Sequence, residues 1–368
     1  MYTGSKLRFA VAGLGHIAQM AVLPAFKHAT EKCELTAFIS DSPDKVAELS
    51  QQYNVQHYWP YEELDKALAS KLFDAIYIAL PNDMHMDFAM RAAAAGIHVL
   101  CEKPMALCEE DCRAMIRAAR KNNVKLMIAY RLHFEPTNMK VVELVKSGVI
   151  GKPRAFNSTF TMQVRDGNIR TQKEHGGGPL NDIGIYCINA ARYLFGEEPL
   201  SVMAMSAKSS DPRFEEIEES ASVILKFPNE CLASFVCSFG SKDVSRYELI
   251  GTEGRIIVEP AYDYAEELEY TIQIGDKVEK HKTPKRDQFA PELLHLADSI
   301  IEGTQPRPSG HEGLNDVKIL DAIRKSIELG KLIELPTMFC GSKPDAELIE
   351  EKPGILRPPT INVQSGSK

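Results

Sequence analysis

No apolar run in this sequence reaches the ~20 residues that a bilayer-spanning helix needs, so no membrane partner is expected. No basic excess is present: 43 Lys and Arg stand against 51 Asp and Glu, a formal charge of −8. A nucleic-acid or anionic-lipid partner is therefore not expected either. No export leader is expected, because Met1 to Lys6 is short and polar and runs straight into an apolar stretch. No Cys-x-x-Cys pair occurs among the eight cysteines. Cys108 and Cys112 lie four apart on one expected helix face, and no second pair completes a metal site. The expectation is eight reduced thiols, no metal and a cytoplasmic protein. No internal repeat is evident.

What is present is a chain of 368 residues, long enough for two domains. Its 44% hydrophobic and 26% charged content is ordinary for a globular protein. Residues 7–12 read as a strand and run into Gly13-Leu14-Gly15-His16-Ile17-Ala18. This is G-x-G-x-x-A, followed by a helix through Met20, Leu23 and Phe26. Gly13 allows the tight turn, Gly15 lets the backbone approach a pyrophosphate, and Ala18 keeps the helix close to the strand. The strand before and helix after are the context that a dinucleotide-binding turn requires.

A second strand, 35–39, ends at Ser40-Asp41-Ser42-Pro43-Asp44-Lys45. An acid at this tip takes the ribose hydroxyls of NAD, and a basic residue accommodates the 2′-phosphate of NADP. Both kinds occur here. Ser40 with Lys45 suits a phosphate, so NADP is the expectation and NAD the alternative. Asp41, one place past the strand end, either takes the ribose or is a solvated turn residue, with Asp44 the N-cap of the next helix. Helices at 44–53, 61–69, 83–95 and 109–122 then alternate with strands at 75–80, 98–101 and 126–129. Such alternation means a Rossmann-type, doubly wound parallel sheet. Leu80-Pro81-Asn82 ends one strand, and His85 follows on the next helix turn. These either touch the cofactor or, for His85, cap and pack.

The run His98-Val99-Leu100 leads into Cys101-Glu102-Lys103-Pro104. Ligands of open α/β sheets bind outside the carboxyl ends of the strands. Pro104 stiffens the turn and biases Lys103 away from helical geometry. A Lys so presented can hydrogen-bond a substrate hydroxyl or act on a neighbouring acid; alone it reads equally as a surface loop residue.

From Arg154 the pattern changes to strands, at 155–162, 202–207, 221–227, 232–239, 245–250, 255–258 and 268–274. The expected second domain is α+β, on a large, mainly antiparallel sheet. Between its first two strands lies Gly176-Gly177-Gly178, then Asp182 and Tyr186, with Asn189 one turn on. Asp182 and Tyr186 are four apart and share a helix face. They read as a proton-transfer pair or as a capping acid and a core phenol. Helices at 288–302 and 311–329 close the domain. The expected boundaries are 1–130 for dinucleotide binding, 131–335 for substrate binding and oligomerisation, and 336–368 as an extended or disordered tail. Seven strand candidates carry more apolar residues than one covered face needs, so a homodimer or homotetramer is expected.

In this order, G-x-G-x-x-A, Glu102-Lys103-Pro104, the glycine triplet and Asp182-x-x-x-Tyr186 resemble the Gfo/Idh/MocA oxidoreductases, over about residues 5 to 335. Tyr130-Arg131-x-His133 and Arg192-Tyr193-Leu194 are similar to its glucose–fructose oxidoreductase branch, as is Tyr where many relatives place His. The resemblance implies a nicotinamide cofactor and a sugar or polyol substrate. It makes Lys103, Asp182 and Tyr186 catalytic, and adds Tyr130 to them at the substrate. It sets Gly13, Gly15, His16, Ile17, Ser40, Lys45, Leu80, Pro81, Asn82, His85, Glu102, Lys103 and Arg131 at the cofactor. Two departures stand out: Asn168-Ile169-Arg170-Thr171 lacks the Trp that precedes Arg in relatives, and Asp41 replaces a small neutral residue. The alternatives are an NAD-dependent polyol (inositol-type) dehydrogenase and a non-catalytic dinucleotide-sensing regulator.

Overall fold

The computed structural model describes residues 6–338, 341 and 343–367. Most of the expected N-terminal segment Met1 to Lys6, and Cys340, therefore lie outside the described residues. The strands are β1 (Leu7–Ala12), β2 (Cys33–Ile39), β3 (His57–Trp59), β4 (Ala75–Ile78), β5 (His98–Glu102), β6 (Leu126–Ala129), β7 (Pro153–Gln163) and β8 (Ser201–Ala207). They continue with β9 (Ser220–Lys226), β10 (Leu232–Ser238), β11 (Gly240–Gly251), β12 (Gly254–Val258), β13 (Leu268–Ile274), β14 (Lys277–Thr283) and β15 (Ile333–Glu334). The α-helices are α1 (Leu23–Ala25), α2 (Pro43–Tyr53), α3 (Leu64–Ala69), α4 (His85–Ala94), α5 (Glu109–Lys121), α6 (Pro136–Lys146), α7 (Ile185–Phe195), α8 (Ala290–Ile301) and α9 (Gly310–Leu329).

The chain forms two compact units. The first comprises Met1–Phe134, Asp287–Leu314 and Glu350–Ser365. Its sheet is all parallel, in the order β3-β2-β1-β4-β5-β6. All of β4 and β6 and nearly all of β1 are buried. Continuous apolar runs of this kind belong to parallel sheets covered on both faces. The strand order reverses between β1 and β4, and that reversal is where such sheets bind ligands. Helix α5 shows how the covering elements are specified. It buries Cys112, Met115 and Ala119 on one face, starts with Glu109, Glu110 and Asp111, and ends with Arg120 and Lys121, matching its dipole. Cys112 is thus a core residue, and Cys108 is the N-cap.

The second unit comprises Glu135–Arg286, Asn315–Ile349 and Gly366–Lys368. Its nine strands run in the order β14-β13-β12-β11-β7-β10-β9-β8-β15. All neighbours are antiparallel except the central pair β7 and β10, which are parallel. Strand β9 alternates strictly, with Ala221, Val223 and Leu225 buried and Ser222, Ile224 and Lys226 exposed. Strands β3, β14 and β15 go beyond the expected set. β14, Lys-Val-Glu-Lys-His-Lys-Thr, is a sheet edge with almost no apolar face, so it shows no alternation to find.

Past residue 336 the described chain carries a 3₁₀ turn at Ala346–Leu348 and bends at 361–362 and 366. In the first unit the carbonyl of Lys352 accepts from the Asp287 N–H, and the Lys352 ammonium pairs with Glu31 at 2.7 Å. In the second unit Ser367 forms a bridge with Val164.

Candidate active site

The glycine turn closes the top of β1. Gly13 has φ +91°, and a Cβ there would lie 2.3 Å from the Ala79 carbonyl oxygen, so only glycine lets β1 turn against the end of β4. At Gly15 a Cβ would meet nothing of the protein within 4 Å. That side of the turn is open to a ligand, as a pyrophosphate site requires. The helix that follows begins as a π-turn, Ala18–Val22, a form that recurs at functional sites. Within it the buried Gln19 carboxamide donates to the Leu14 carbonyl at 2.9 Å and to the Ile361 carbonyl at 3.0 Å. Its oxygen accepts the Ile361 N–H at 2.7 Å. His16 and Ile17, between glycine and π-turn, are half-buried.

Ser40 is buried at the tip of β2, and its hydroxyl accepts the Ser42 N–H at 3.3 Å. The Tyr61 phenol lies near it, which makes Tyr61 a member of this corner that the sequence did not reveal. The Asp41 carboxylate accepts the Tyr61 N–H at 2.6 Å, so it is engaged by the protein's own backbone. Lys45 is half-buried, and burial alone lowers its pKa. Among the described residues no anion offsets that burial. Hydroxyls and an uncompensated ammonium at this corner suit a 2′-phosphate.

At the end of β5, Glu102 and Lys103 are half-buried and Pro104 is buried. His85 is fully buried below them. Its Nδ1 lies 2.9 Å from the Pro104 carbonyl oxygen and its Nε2 3.0 Å from that of Leu80. Protonation would let the ring donate to both, but burial dominates and lowers its pKa. The ring nitrogens that were expected at the cofactor are thus spent on the backbone that carries Lys103. Pro81 and Asn82, beyond Leu80, stay half-buried. Glu102 accepts from the Tyr77 hydroxyl at 2.8 Å; burial raises its pKa against Lys103, Tyr77 and Arg131. Arg131 is buried and donates to the Gln288 side chain at 2.6 Å. Tyr130 stacks on His133 with ring centroids 5.5 Å apart. Beside Glu102 and Arg131 lies Glu292 of α8, fully buried with neither oxygen hydrogen-bonded. Burial, then Glu102, holds its carboxyl well above the usual carboxylate range. No local pattern in the sequence marks it.

In the second unit Asp182 lies in a π-turn, Leu180–Gly184, that leads directly into α7, and Tyr186 is in the first turn of α7. The expected single α-helix is therefore π where the acid sits. The Tyr186 ring packs edge-on to Phe160, centroids 5.7 Å apart, and lies 6.0 Å from Tyr262. Tyr262 is held by a 2.7 Å bond between its hydroxyl and that of Ser158. Helix α7 is anchored by Arg192, which is fully buried and pairs with Glu198 and Asp316, each at 2.6 Å. Arg170 donates from Nε to the Asp182 carboxylate at 2.7 Å.

With this geometry in hand, comparison with known proteins gives a consistent result. Residues 7–130 match the oxidoreductase family with an NAD-binding Rossmann fold, and residues 138–257 match the GFO/IDH/MocA C-terminal domain. The chain belongs to the Gfo/Idh/MocA oxidoreductases. Among curated members of this family it is 29% identical to a D-xylose 1-dehydrogenase [NADP(+)] of Haloarcula marismortui, over 90% of this chain and 94% of that one. The structure of an aldose–aldose oxidoreductase from Caulobacter crescentus, complexed with glycerol, superposes with TM-score 0.85 at 36% identity, over 90% of this chain and 100% of that one. A 3-ketoreductase from Actinomadura kijaniata, in complex with NADP and TDP-benzene, gives TM-score 0.80 at 27% identity, over 88% and 98%. As a member of the Gfo/Idh/MocA family, this chain is an oxidoreductase with an NAD-binding Rossmann unit. Among its described residues no helix is long and apolar enough to cross a membrane.

Proposed function

We propose that this enzyme is an NADP-dependent oxidoreductase that interconverts a hydroxyl-bearing sugar carbon and its carbonyl. The names of the relatives support a sugar, the open Gly15 supports a dinucleotide, and the uncompensated Lys45 supports NADP over NAD. When bound, the cofactor supplies a nicotinamide C4 that takes or returns the hydride. The chain supplies the rest. Gly13 and Gly15 admit the pyrophosphate, and Ser40 and Lys45 hold the 2′-phosphate. In oxidation Tyr186, as phenolate, would take the hydroxyl proton, and in reduction, as phenol, it would return it. Lys103 holds the reacting oxygen, and Asp182 accepts from a sugar hydroxyl and orients the ring. The observation that carries this reading is the placement of Asp182 and Tyr186 on successive turns, π and α, at the start of one helix. A sensor has no use for such a pair.

Tyr186→Phe keeps the ring and its packing on Phe160 but removes the proton. Turnover should fall by about 10²–10⁴, the usual share of general acid–base catalysis, with melting temperature and NADP affinity little changed. A folded Tyr186→Phe enzyme with near wild-type turnover on D-xylose or D-glucose would remove Tyr186 from the mechanism.

Two further attributes belong to the same proposal. Met205, Ile224, Leu232 and Val236 lie on one face of the β8–β9–β10 sheet and are 71%, 50%, 51% and 41% exposed. That apolar face suits a symmetric contact with a second copy of the chain. The seven described cysteines are free thiols, in keeping with a reducing, cytoplasmic setting.

A further inference from the structure

The surroundings of Arg170 are built around Asp182. The Arg170 Nε donates to the Asp182 carboxylate at 2.7 Å, and the two side chains are 30% and 21% exposed. Asp182 is the foremost influence on the guanidinium, and the phenols of Tyr264 and Tyr186 also lie near it. Three independent features fix Arg170. The Asn168 side chain accepts the Arg170 N–H at 3.1 Å and lies 3.4 Å from Nη1. The glycine triplet holds the loop down from the other side. A Cβ at Gly177 would lie 2.4 Å from the Arg170 carbonyl oxygen, and the Gly178 N–H donates to that same oxygen at 2.9 Å. Gly177 therefore serves the approach of this loop's own backbone. Lastly, Gly366 lies against the guanidinium, where a Cβ would come within 2.7 Å of Nη1. It is kept there because Arg165 donates from its N–H to the Gly366 carbonyl at 3.0 Å and from Nε to the Ser367 carbonyl at 2.6 Å.

Resting on the reading of Tyr186 as the proton-transfer group, we infer that Arg170 is a positioning residue of the reaction, clamping the Asp182 carboxylate on the helix face of Tyr186 while the backbone of Gly366 clamps Arg170. A planar guanidinium can be gripped on several edges at once, which a lysine ammonium cannot. Without it the carboxylate turns on its own rotamers, and the substrate hydroxyl it orients moves with it. Misplacement by about 1 Å costs about 10²-fold in rate.

The test uses the full chain as Arg170→Ala, Arg170→Lys and Gly366→Val, with Tyr186→Phe in parallel, assayed as NADP reduction by D-xylose and D-glucose. Arg170→Ala should lower kcat by about 10²-fold, with NADP affinity held within about twofold. Added guanidinium chloride, at concentrations that leave the wild type unchanged, should restore part of that rate; a purely structural arginine gives no such rescue. Arg170→Lys should recover less than the rescued alanine variant. The nearest atoms that Gly366→Val would press on are those of the Arg170 guanidinium, so it should fold and lower kcat in the same direction. If Arg170→Ala does not fold, the lysine and valine variants decide alone. Wild-type kcat in them, or loss of NADP affinity in place of kcat, overturns the inference, the latter by making Arg170 a cofactor ligand. Full turnover in Tyr186→Phe refutes the underlying reading instead.

Discussion

Lys45 gives the sharpest test of cofactor choice, because the free protein gains nothing from it. Its ammonium is half-buried, burial lowers its pKa, and no carboxylate among the described residues offsets that cost. Lys45→Ala should therefore leave the melting temperature unchanged or slightly raised. In the complex the balance reverses, since the ammonium gains a charge-assisted hydrogen bond to the 2′-phosphate. Such bonds are worth about 1.5–3 kcal/mol net, or roughly 10- to 150-fold in Kd. NADH lacks that phosphate and should lose far less. Fluorescence titration of NADPH and NADH into wild type and variant measures both affinities, and raising the salt should narrow the gap between cofactors. Asp41→Ala is the companion variant. Its carboxylate accepts the Tyr61 N–H, so its loss should cost about 1 kcal/mol of stability without converting the enzyme to NAD. Equal losses for both cofactors in Lys45→Ala, or a drop of several degrees in its melting temperature, would refute the reasoning.

Two other outcomes are expected. His98 and His295 each accept a backbone N–H on a ring nitrogen, from Lys125 and Arg307 at 2.9 Å, and burial pushes both pKa values down to about 4. The unfolded chain takes up these protons near pH 6.5, so stability should be full above that pH and fall as it drops towards 4; urea midpoints flat across this window would contradict the assignment. Light scattering at micromolar concentration should show a dimer or larger, and Ile224→Lys with Val236→Lys should shift it towards monomer; a wild-type monomer would refute the covered face.

The fold was legible wherever local chemistry repeats. Apolar strands alternating with capped, amphipathic helices announced the parallel sheet, and G-x-G-x-x-A announced its ligand-binding end. The run of strand candidates after Arg154 announced the second sheet. What escaped has no local signature. Tyr61 reaches Ser40 only because β3 lies beside β2, and β3 is three residues long. Glu292 is an unremarkable acid in an amphipathic helix until the fold buries it next to Glu102. Other residues were seen but their partners were not. The glycine triplet stood out ahead of Asp182 and Tyr186, and Gly177 makes room for the backbone of the Arg170 loop. His85 stood out as a titratable group near the sheet edge, and both its nitrogens proved to face main-chain carbonyls. Spacing shows that a residue is constrained, but the partner that constrains it is supplied by tertiary structure.

The pairing of Gln19 with Ile361 has a consequence for how freely the C-terminal segment can vary. Gln19 presents one acceptor and one donor to residue 361 and meets only its N–H and C=O, as a neighbouring strand would. Recognition is thus blind to the letter at that position, and the side chain itself is half-exposed. Drift at 361 leaves the docking intact for every residue that keeps an amide hydrogen. Proline alone is barred. Gln19 has no such latitude, because Asn is one methylene short of reaching both Leu14 and residue 361. One side of this contact is a fixed reader, and the other is text that can be rewritten without being misread.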